Sequence, residues 1–319
     1  MTPLDDYRRT PVWNGGARLK ARRSLLTYLR RVWRIMLNVI GSNQSGFRMR
    51  LKFWGVRGST PSPQIENMGY GGNTPCLEMR GPGPDVFIFD GGTGLRQLGD
   101  ALLDEFKNKK LRIHFFSTHC HWDHIQGIPF FAPLYQADHE VIFYSFSAAN
   151  DLQPALEYQM KGPFFPVNFD SVPIRRKFIR LESGPVKCDG LTILPFPVNH
   201  PQGAAGYRVE YAGASVVYAS DLENGHTKLD TLLRDTARNA DLLIHDAQYT
   251  PEEYEHRRGW GHSTWLQAAE AAKDAKVKQL ILFHHDPSHK DEFIAGVTQD
   301  ARKHVENTEA AREGWVVSL

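Results

Sequence analysis

Four side chains of metal-ligand type fall within six residues, in the segment His119-Cys120-His121-Trp122-Asp123-His124. His119 and His121 are two residues apart, so an extended backbone points both imidazoles the same way. Asp123 and His124 follow where the chain is predicted to turn into a helix, which lets them face a second point nearby. Neutral imidazoles and a carboxylate suit zinc or another first-row metal. The cluster therefore predicts a metal site with two neighbouring binding points.

Three further side chains of the same types follow short apolar runs that are predicted to be strands. Each lies where its strand ends, so the three can converge on one rim of the fold. A carboxylate has two oxygen atoms, so the aspartate among them can bridge two cations, whereas a histidine cannot. The sequence thus predicts a rim holding two divalent cations, with zinc expected and manganese or iron as alternatives. The three residues are His200, Asp221 and His284.

The elements that must position these side chains follow from the apolar patterning. Runs rich in valine, isoleucine and aromatic residues predict strands, and one of them leads directly into the histidine cluster. Glycine-rich turns at 55–61 and 90–94 separate the early elements. Many short strands with interspersed helices indicate a layered α/β sandwich. Strands are predicted at 51–54, 86–89, 112–116, 191–194, 207–211, 215–218, 242–244 and 279–283, and helices at 95–106 and 265–275.

The first 48 residues differ from the rest of the chain. They contain ten Lys and Arg against two acids, a charge of +8, whereas residues 49–319 contain 28 against 34, a charge of −6. We predict an N-terminal extension and linker at 1–48 and a catalytic domain at 49–319. Residues 22–40 show the apolar and basic spacing of an amphipathic helix. This helix could dock on the catalytic domain, be dispensable, or make a peripheral contact with an anionic membrane surface.

Composition and charge argue against several classes of protein. The chain is 41% hydrophobic and 23% charged, as is usual for a globular enzyme. It contains no apolar stretch of about 18 residues, so no transmembrane segment is expected, and its N-terminus does not resemble a signal peptide. Three scattered cysteines do not suggest a disulfide framework, and a cytoplasmic location is expected. The acidic charge of residues 49–319 argues against a long polyanionic substrate.

The cluster and the three later residues together resemble the metallo-β-lactamase superfamily, from about Met49 to near the C-terminus. The resemblance implies a four-layer αββα sandwich with two metals between the edges of its two sheets. It also divides the ligands between the two metals and gives the bridging position to Asp221. The implied ligands are His119, His121 and His200 for one metal, and Asp123, His124 and His284 for the other.

Two later motifs are similar to those of one branch, the ribonuclease Z-like phosphodiesterases. They are His245-Asp246-Ala247-Gln248 and Gly261-His262-Ser263-Thr264. The glycine-rich turns at 58–61 and 89–94 also match the opening turns of that branch. The departure is an aspartate at 246, where the branch usually has glutamate.

The resemblance implies roles for residues around the metals. His245 is expected to contact the scissile phosphate or to protonate the leaving oxygen, and Asp246 is expected to orient it. His262 and Ser263 are expected to bind substrate, with support of the fold as the alternative for His262. Asp90 is expected to hold a ligating histidine by its second ring nitrogen.

The predicted function is hydrolysis of a small phosphodiester, such as a cyclic nucleotide, by a hydroxide bridging two metals. Asp123 and His245 are predicted to take part in catalysis. Ribonuclease Z carries a long arm that grips transfer RNA between the positions equivalent to His200 and Asp221. Only 20 residues separate them here, and the absence of the arm favours a small substrate.

Other activities of the same fold stay open on the sequence. One is an RNA endonuclease of the ribonuclease Z type, with a partner subunit supplying the grip. Another is hydrolysis of a lactone, thioester or β-lactam. A homodimer is expected by resemblance, and residues 150–185, rich in proline and phenylalanine, are predicted to form a lid over the site or a dimer contact.

Overall fold

The computed structural model describes residues 48–107, 109–146 and 151–319. The predicted basic extension and its amphipathic helix lie outside the described residues, apart from Arg48. Within the described residues, no helix is long and apolar enough to cross a membrane.

In the part of the chain that the structure describes, fourteen strands form two sheets of seven strands each. The first sheet contains β1 (Arg50–Gly55), β2 (Cys76–Arg80), β3 (Val86–Phe89), β4 (Arg112–Phe116), β5 (Glu140–Ser145), β6 (Arg175–Arg180) and β14 (Val316–Ser318). The second contains β7 (Val186–Cys188), β8 (Leu191–Val198), β9 (Ala204–Tyr211), β10 (Ala214–Ala219), β11 (Leu242–Asp246), β12 (Gln279–Phe283) and β13 (Thr308–Ala310). Their orders are β14-β1-β2-β3-β4-β5-β6 and β13-β12-β11-β10-β9-β8-β7.

Helices cover the outer faces of the sheets, and this arrangement confirms the predicted four-layer αββα sandwich. The longer helices carry an apolar face that becomes buried, as in α1, where Leu95, Leu98 and Leu102 are inaccessible. The helices are α1 (Gly94–Glu105), α2 (Trp122–Ile125), α3 (Leu152–Gln159), α4 (Thr227–Ala237), α5 (Pro251–Tyr254), α6 (Trp265–Ala275) and α7 (Asp291–Arg302).

A large apolar core separates the two sheets. It is rich in aromatic residues, and the rings of Phe89 and Tyr207, from opposite sheets, lie 5.5 Å apart. Alternate residues of each inner strand point into this core, while the residues between them face the outer helices. A second cluster of buried residues lies between the first sheet and α1. Both faces of the central strands are therefore buried, which accounts for their nearly continuous apolar sequences.

Strand direction brings the ends of several strands to one edge of the sandwich. In the first sheet β3, β4 and β5 are parallel. In the second sheet β10, β11 and β12 are parallel, and β8 runs in the same direction because β9 is antiparallel to both β8 and β10. Loops leaving the carboxyl ends of β4, β8, β10 and β12 hold the predicted ligands. The topology thus explains how residues from 119 to 284 meet.

The proline- and phenylalanine-rich segment differs from its prediction as a lid. Its buried side chains, including Leu156 and Phe169, pack in the cluster on the outer face of the first sheet. Gln159 Nε2 also donates a hydrogen bond of 3.1 Å to the carbonyl oxygen of Ile125, the last residue of α2. The segment supports α2 from behind, and the lid prediction is wrong for these packed residues. Its role as a dimer contact stays a prediction.

Arg57 is fully buried and fastens two loops beside the same edge of the sandwich. Its guanidinium donates to the carbonyl oxygens of Gly71 at 2.7 Å and His289 at 2.6 Å, with longer bonds to Asp286 and Asn67. Burial lowers the pKa of Arg57, although Asp291 opposes this. A lysine has only three donors and no planar fork, so it cannot replace this pattern.

We expect Arg57→Lys to lower the free energy of unfolding by about 3 kcal/mol, because buried carbonyl groups lose their donors. Urea unfolding of the metal-free protein measures this directly. Arg50→Lys is the matched control, since Arg50 is exposed on β1. Equal urea midpoints for Arg57→Lys and the wild type would contradict the structural role of Arg57.

Candidate metal centre

Three imidazoles meet at the edge of the sandwich and form what we call the imidazole group: His119, His121 and His200. Their ring centroids are 4.4 to 4.9 Å apart. His119 and His121 leave β4 on an extended segment, and His200 lies on the turn after β8. His121 Nδ1 and His200 Nε2 are 3.0 Å apart, and one nitrogen atom from each ring lies within 4.8 Å of the others.

A second cluster, the mixed group, consists of Asp123, His124, Asp221 and His284, all of which are buried. Asp123 and His124 lie on the single turn of α2, whereas Asp221 follows β10 and His284 follows β12. His284 Nε2 lies 3.2 Å from an oxygen of each of the two aspartates. The structure thus brings together all seven side chains that the sequence predicts as ligands.

Asp221 connects the two groups. Its Oδ2 lies 3.1 Å from His124 Nε2, and its Oδ1 lies 3.9 Å from His119 Nε2. This is the position expected of a carboxylate that bridges two cations. Histidine nitrogens of both groups approach this one carboxylate, those of His119 and His284 at Oδ1 and that of His124 at Oδ2.

Unpaired nitrogen atoms show that the residues fit divalent cations. The Nε2 atoms of His119 and His124 are buried and make no hydrogen bond to any described residue, even though Asp221 lies close to both. Burial and the neighbouring His124 hold the pKa of His119 well below its usual value. A neutral imidazole with a free, buried lone pair is a metal ligand by type. Buried polar atoms without a partner require such an explanation.

Carboxylate charge dominates the mixed group. Burial opposes ionisation of Asp123 and Asp221, yet His124 holds the pKa of both carboxyl groups well below the usual range. Burial would likewise lower the pKa of His124, but Asp221, Asp123 and Asp90 raise it well above its usual value. The group therefore concentrates negative charge that a cation would neutralise in place of a proton.

A second layer of contacts orients these rings. Asp90 Oδ2 lies 3.0 Å from His124 Nδ1, and the same carboxylate accepts bonds from Thr118 and from the Tyr218 hydroxyl. Asp90 therefore occupies the orienting position predicted from the sequence. His200 Nδ1 is 2.8 Å from the carbonyl oxygen of Gly261, where it can donate. Such contacts select the ring nitrogen that faces the metal.

The loop at 58–59 is shaped around the mixed group. The backbone N–H of Ser59 donates to Asp123 Oδ2 at 2.8 Å. Ser59 and His284 have φ values of 59° and 62°, a conformation that is unfavourable for residues with side chains. A Cβ atom at Gly58 would lie 2.5 Å from His284 Nδ1, so only glycine lets this loop approach the imidazole.

His245 does not lie where the sequence analysis predicts. In β11, Leu242 and Ile244 point into the core between the sheets, so alternation places His245 on the outer face, towards α4 and α6. The side chain is inaccessible, its Nδ1 lies 2.6 Å from the backbone oxygen of Asp246, and its Nε2 has no hydrogen-bond partner among the described residues. The prediction that His245 acts on substrate is wrong because the motif was assigned without the strand's alternation.

His262 lies in the position that was expected for His245. Its Nδ1 is 2.7 Å from Asp246 Oδ2, and its ring stacks on that of His284 with a centroid distance of 4.9 Å. Burial would lower the pKa of His262, but Asp246 raises it to about 9. Asp246 therefore orients His262 rather than His245, and its other oxygen accepts from the N–H groups of Gln248 and Ser263.

Ser263 is also placed differently from the prediction. Its side chain is fully buried, and its hydroxyl donates to the carbonyl oxygen of Leu222 at 2.6 Å. Ser263 thus joins the loop after β10 to the loop that carries His262. A direct contact between the Ser263 hydroxyl and substrate is inconsistent with this geometry.

Two supporting residues escaped the sequence analysis. Glu223 accepts from the N–H groups of Gly259 and Gly261 and so holds the loop before His262. Gln248 Oε1 lies 2.9 Å from His284 Nδ1, where it can accept a hydrogen bond from the imidazole N–H. Gln248 ends a motif that was recognised, so the signal was present. A single glutamate in a loop such as Glu223 gives no comparable signal.

Comparison with known proteins identifies the family. Residues 86–285 match the model of the beta-lactamase superfamily domain. The ribonuclease Z of Ligilactobacillus salivarius is 25% identical over 83% of this chain and 95% of its own length. YhfI of Bacillus subtilis, a metallo-beta-lactamase fold protein, has a TM-score of 0.66 at 20% identity, covering 85% of this chain and all of that one. A diphosphatase of the PhnP family has a TM-score of 0.63 at 19% identity, covering 85% and 98%. With more than half of its length matched by the family model, the chain belongs to the beta-lactamase superfamily.

Proposed function

We propose that the protein is a two-metal phosphodiesterase that cleaves a small phosphodiester such as a cyclic nucleotide. In this proposal the imidazole group binds one cation, the other three residues of the mixed group bind the second, and Asp221 bridges them. Zinc is the proposed metal, since its preferred ligands are imidazole and carboxylate groups. Two bound cations would supply Lewis-acid activation of water and neutralisation of charge on the phosphoryl group.

The observation that carries this proposal is the Asp246–His262 pair beside the mixed group. An imidazole whose Nδ1 contacts a buried carboxylate is held in its protonated form and has Nε2–H free to donate. Such a group can bind a phosphoryl oxygen, or give a proton to the departing sugar oxygen. Opening a strained lactam or a thioester depends less on a cationic donor of this kind than the departure of an alkoxide does.

The chain between His200 and Asp221 supports a small substrate. Strands β9 and β10 and their tight turn at Ala212 and Gly213 occupy this interval, which leaves no residues for a gripping arm. The charge of −6 on residues 49–319 also disfavours a long polyanion.

The test is turnover of bis-p-nitrophenyl phosphate and of 3′,5′-cyclic nucleotides by metal-loaded protein, with nitrocefin and an acyl-glutathione alongside. We expect the phosphodiesters alone to be hydrolysed and Asp123→Ala to abolish their turnover. Hydrolysis of nitrocefin or the thioester in preference to both phosphodiesters would refute the proposal.

A second candidate is an RNA endonuclease, favoured by the match to ribonuclease Z over most of both chains. A nuclease lacking the arm within this chain would need another subunit to hold RNA. Cleavage of a precursor transfer RNA at its 3′ end, at a rate exceeding that of cyclic nucleotides, would favour this candidate. We further propose a cytoplasmic homodimer, for which sedimentation velocity of the full chain is the test of assembly.

Replacing Asp246 tests the pair directly. Asp246→Asn keeps the shape of the side chain but removes the charge that holds His262 protonated, so we expect kcat for bis-p-nitrophenyl phosphate to fall about 10- to 100-fold. Asp246→Glu restores a carboxylate and is expected to recover part of the rate. An asparagine variant as active as the wild type would show that Asp246 does not act through His262.

A further inference from the structure

Two exposed tryptophans lie directly beside the metal centre. Trp122 is 61% exposed and falls between His121 and Asp123, and Trp260 is 62% exposed and comes immediately before Gly261 and His262. A single exposed apolar side chain is ordinary on a protein surface. Two exposed indoles that flank one site, each next to a residue of that site, require a more specific explanation.

Trp122 is held on a fixed backbone. It begins α2, and its carbonyl oxygen accepts a hydrogen bond of 2.8 Å from Gln126 N–H. The next two residues, Asp123 and His124, are buried in the mixed group. The short helix therefore presents its inner side to the metal centre and leaves the indole of Trp122 at the solvent side.

Trp260 is held equally firmly. The carboxylate of Glu223 accepts from the N–H groups on either side of it, at 2.7 Å from Gly259 and 2.9 Å from Gly261. Gly261 has φ of +92°, and a Cβ atom there would lie 2.5 Å from His200 Nδ1. This close approach fixes the backbone next to Trp260 against the imidazole group.

The two tryptophans flank the same pair of imidazoles. His121, next to Trp122, lies 3.0 Å from His200 between their facing nitrogens, and His200 in turn contacts the carbonyl oxygen of Gly261, next to Trp260. On the open side of this pair, His121 Nε2 contacts the side chain of Gln202 at 2.8 Å. Trp122 and Trp260 are thus sequence neighbours of His121 and Gly261, which are joined through His200.

The other tryptophans in the described part of the chain have partners. Trp54 bonds to Glu78 and lies under the ammonium group of Lys52, Trp315 stacks on Phe53, and Trp265 contacts the ring of His304. Among the described residues, Trp122 and Trp260 have no aromatic or cationic partner. The indole faces of Trp122 and Trp260 are therefore available for stacking, whereas the other described tryptophans already have a partner.

We propose that Trp122 and Trp260 form an aromatic platform that stacks on the base of a nucleotide substrate while its phosphodiester occupies the metal centre. This inference rests on the proposed function and narrows it, from small phosphodiesters in general to those that carry a planar base. Indoles on an anchored backbone suit this role because stacking on an aromatic face tolerates any base. The platform makes the enzyme selective for nucleotides without selecting one nucleobase.

The test compares a cyclic diester that carries a planar base, 3′,5′-cyclic AMP, with one that carries none, glycerol 1,2-cyclic phosphate, followed by phosphorus NMR with metal-loaded protein; because the two rings also differ in size and strain, each variant is judged by the change in its ratio relative to the wild type. We expect Trp122→Leu and Trp260→Leu each to lower the ratio of kcat/KM for cyclic AMP to that for the glycerol diester about tenfold, mainly through KM. Trp→Phe at either position keeps an aromatic face and is expected to retain most of the ratio. Phe293→Leu is the control, since Phe293 is 42% exposed on α7, outside the site.

Binding gives a readout that does not depend on catalysis. Adenosine 5′-monophosphate is expected to quench the tryptophan fluorescence of the wild type, and the double leucine variant is expected to lose this quenching. Equal losses on both diesters, an unchanged ratio, or quenching that survives in the double variant would overturn the platform. A changed sedimentation coefficient in the double variant would also overturn it, because the indoles would then serve a subunit contact.

The two proposals fail in different ways. If the wild type cleaves neither of these diesters nor bis-p-nitrophenyl phosphate, the proposed function fails, and fluorescence quenching by adenosine 5′-monophosphate still decides whether the platform binds a base. If the wild type cleaves both diesters and the tryptophan variants leave the ratio unmoved, the phosphodiesterase stands and the platform fails.

Discussion

Replacing Asp221 with alanine is expected to reduce phosphodiesterase turnover at least about a thousandfold, which corresponds to ~4 kcal/mol of transition-state stabilisation. Asp221 contacts both the imidazole group and the mixed group, with oxygen atoms 3.9 Å from His119 and 3.1 Å from His124. Without Asp221 the imidazoles of both groups remain. The carboxylate whose negative charge would hold two cations close together is lost. The remaining ligands are expected to retain at most one ion tightly.

Metal content and thermal stability test this result without relying on turnover. Inductively coupled plasma mass spectrometry should show close to two metal ions per wild-type chain and about one per Asp221→Ala chain. Added metal should raise the melting temperature of the wild type more than that of the variant, because only the folded state binds the ions. Asp300→Ala is the control, since Asp300 lies on α7 and pairs with Lys303. Two tightly bound ions in Asp221→Ala would contradict the bridging role.

The clustering of the seven candidate ligands was predictable because these residues carry both local and periodic signals. His119, His121, Asp123 and His124 are close in sequence, and each of the later ligands ends a run of valine, isoleucine, leucine or phenylalanine. Runs of this kind are central strands buried on both faces, so their ends are sharply marked. The predicted strand at 279–283 coincides with β12, for example. Because these strands run in the same direction within each sheet, their carboxyl ends bring the ligands to one edge of the sandwich.

The continuous apolar run at 242–244 predicts the strand correctly, but the same feature makes the orientation of His245 unpredictable. A run that is apolar on both faces does not reveal which residues point inward, so nothing in the sequence of 242–246 distinguishes His245 from Asp246. The packing of Ile244 between the sheets decides the orientation. A shift of one residue along a strand exchanges its two faces. Here the shift places Asp246, instead of His245, next to the metal centre, where Asp246 orients His262.

The packing of residues 151–185 was unpredictable for a different reason. Its apolar residues lack a regular period because they alternate between a helix, a 3-10 turn and irregular chain. Phe169 packs against the rings of Phe143 on β5 and Phe178 on β6, and Leu156 is buried in the same cluster. The spacing of apolar residues along one sequence does not predict such tertiary contacts. The packing of this segment on the first sheet could therefore not be distinguished from a lid.

The exchange of roles between His245 and His262 leads to the second large prediction. We expect His262→Ala to lower kcat for bis-p-nitrophenyl phosphate by about 10² to 10⁴-fold, the usual contribution of a positioned proton donor. The effect should be smaller for this substrate than for a cyclic nucleotide, because p-nitrophenolate leaves without protonation more readily than a sugar alkoxide. His262→Gln retains a donor without the positive charge and should lie between the alanine variant and the wild type.

His245→Leu is the matched comparison. It also removes a buried histidine next to Asp246, but His245 lies on the outer face of β11, away from the metal centre. His245 has an inaccessible side chain with an unpartnered Nε2, so a leucine of similar volume removes a buried, unsatisfied polar atom. The variant should therefore unfold at the same urea concentration as the wild type or a higher one, and its kcat should remain within about twofold. The reverse pattern, in which His245→Leu loses turnover and His262→Ala retains it, would mean that the strand's outer face reaches the substrate and that the proton donor has been assigned to the wrong imidazole. Measuring the two variants on both substrates separates these cases, because only loss of a true proton donor makes the defect grow with the basicity of the leaving group.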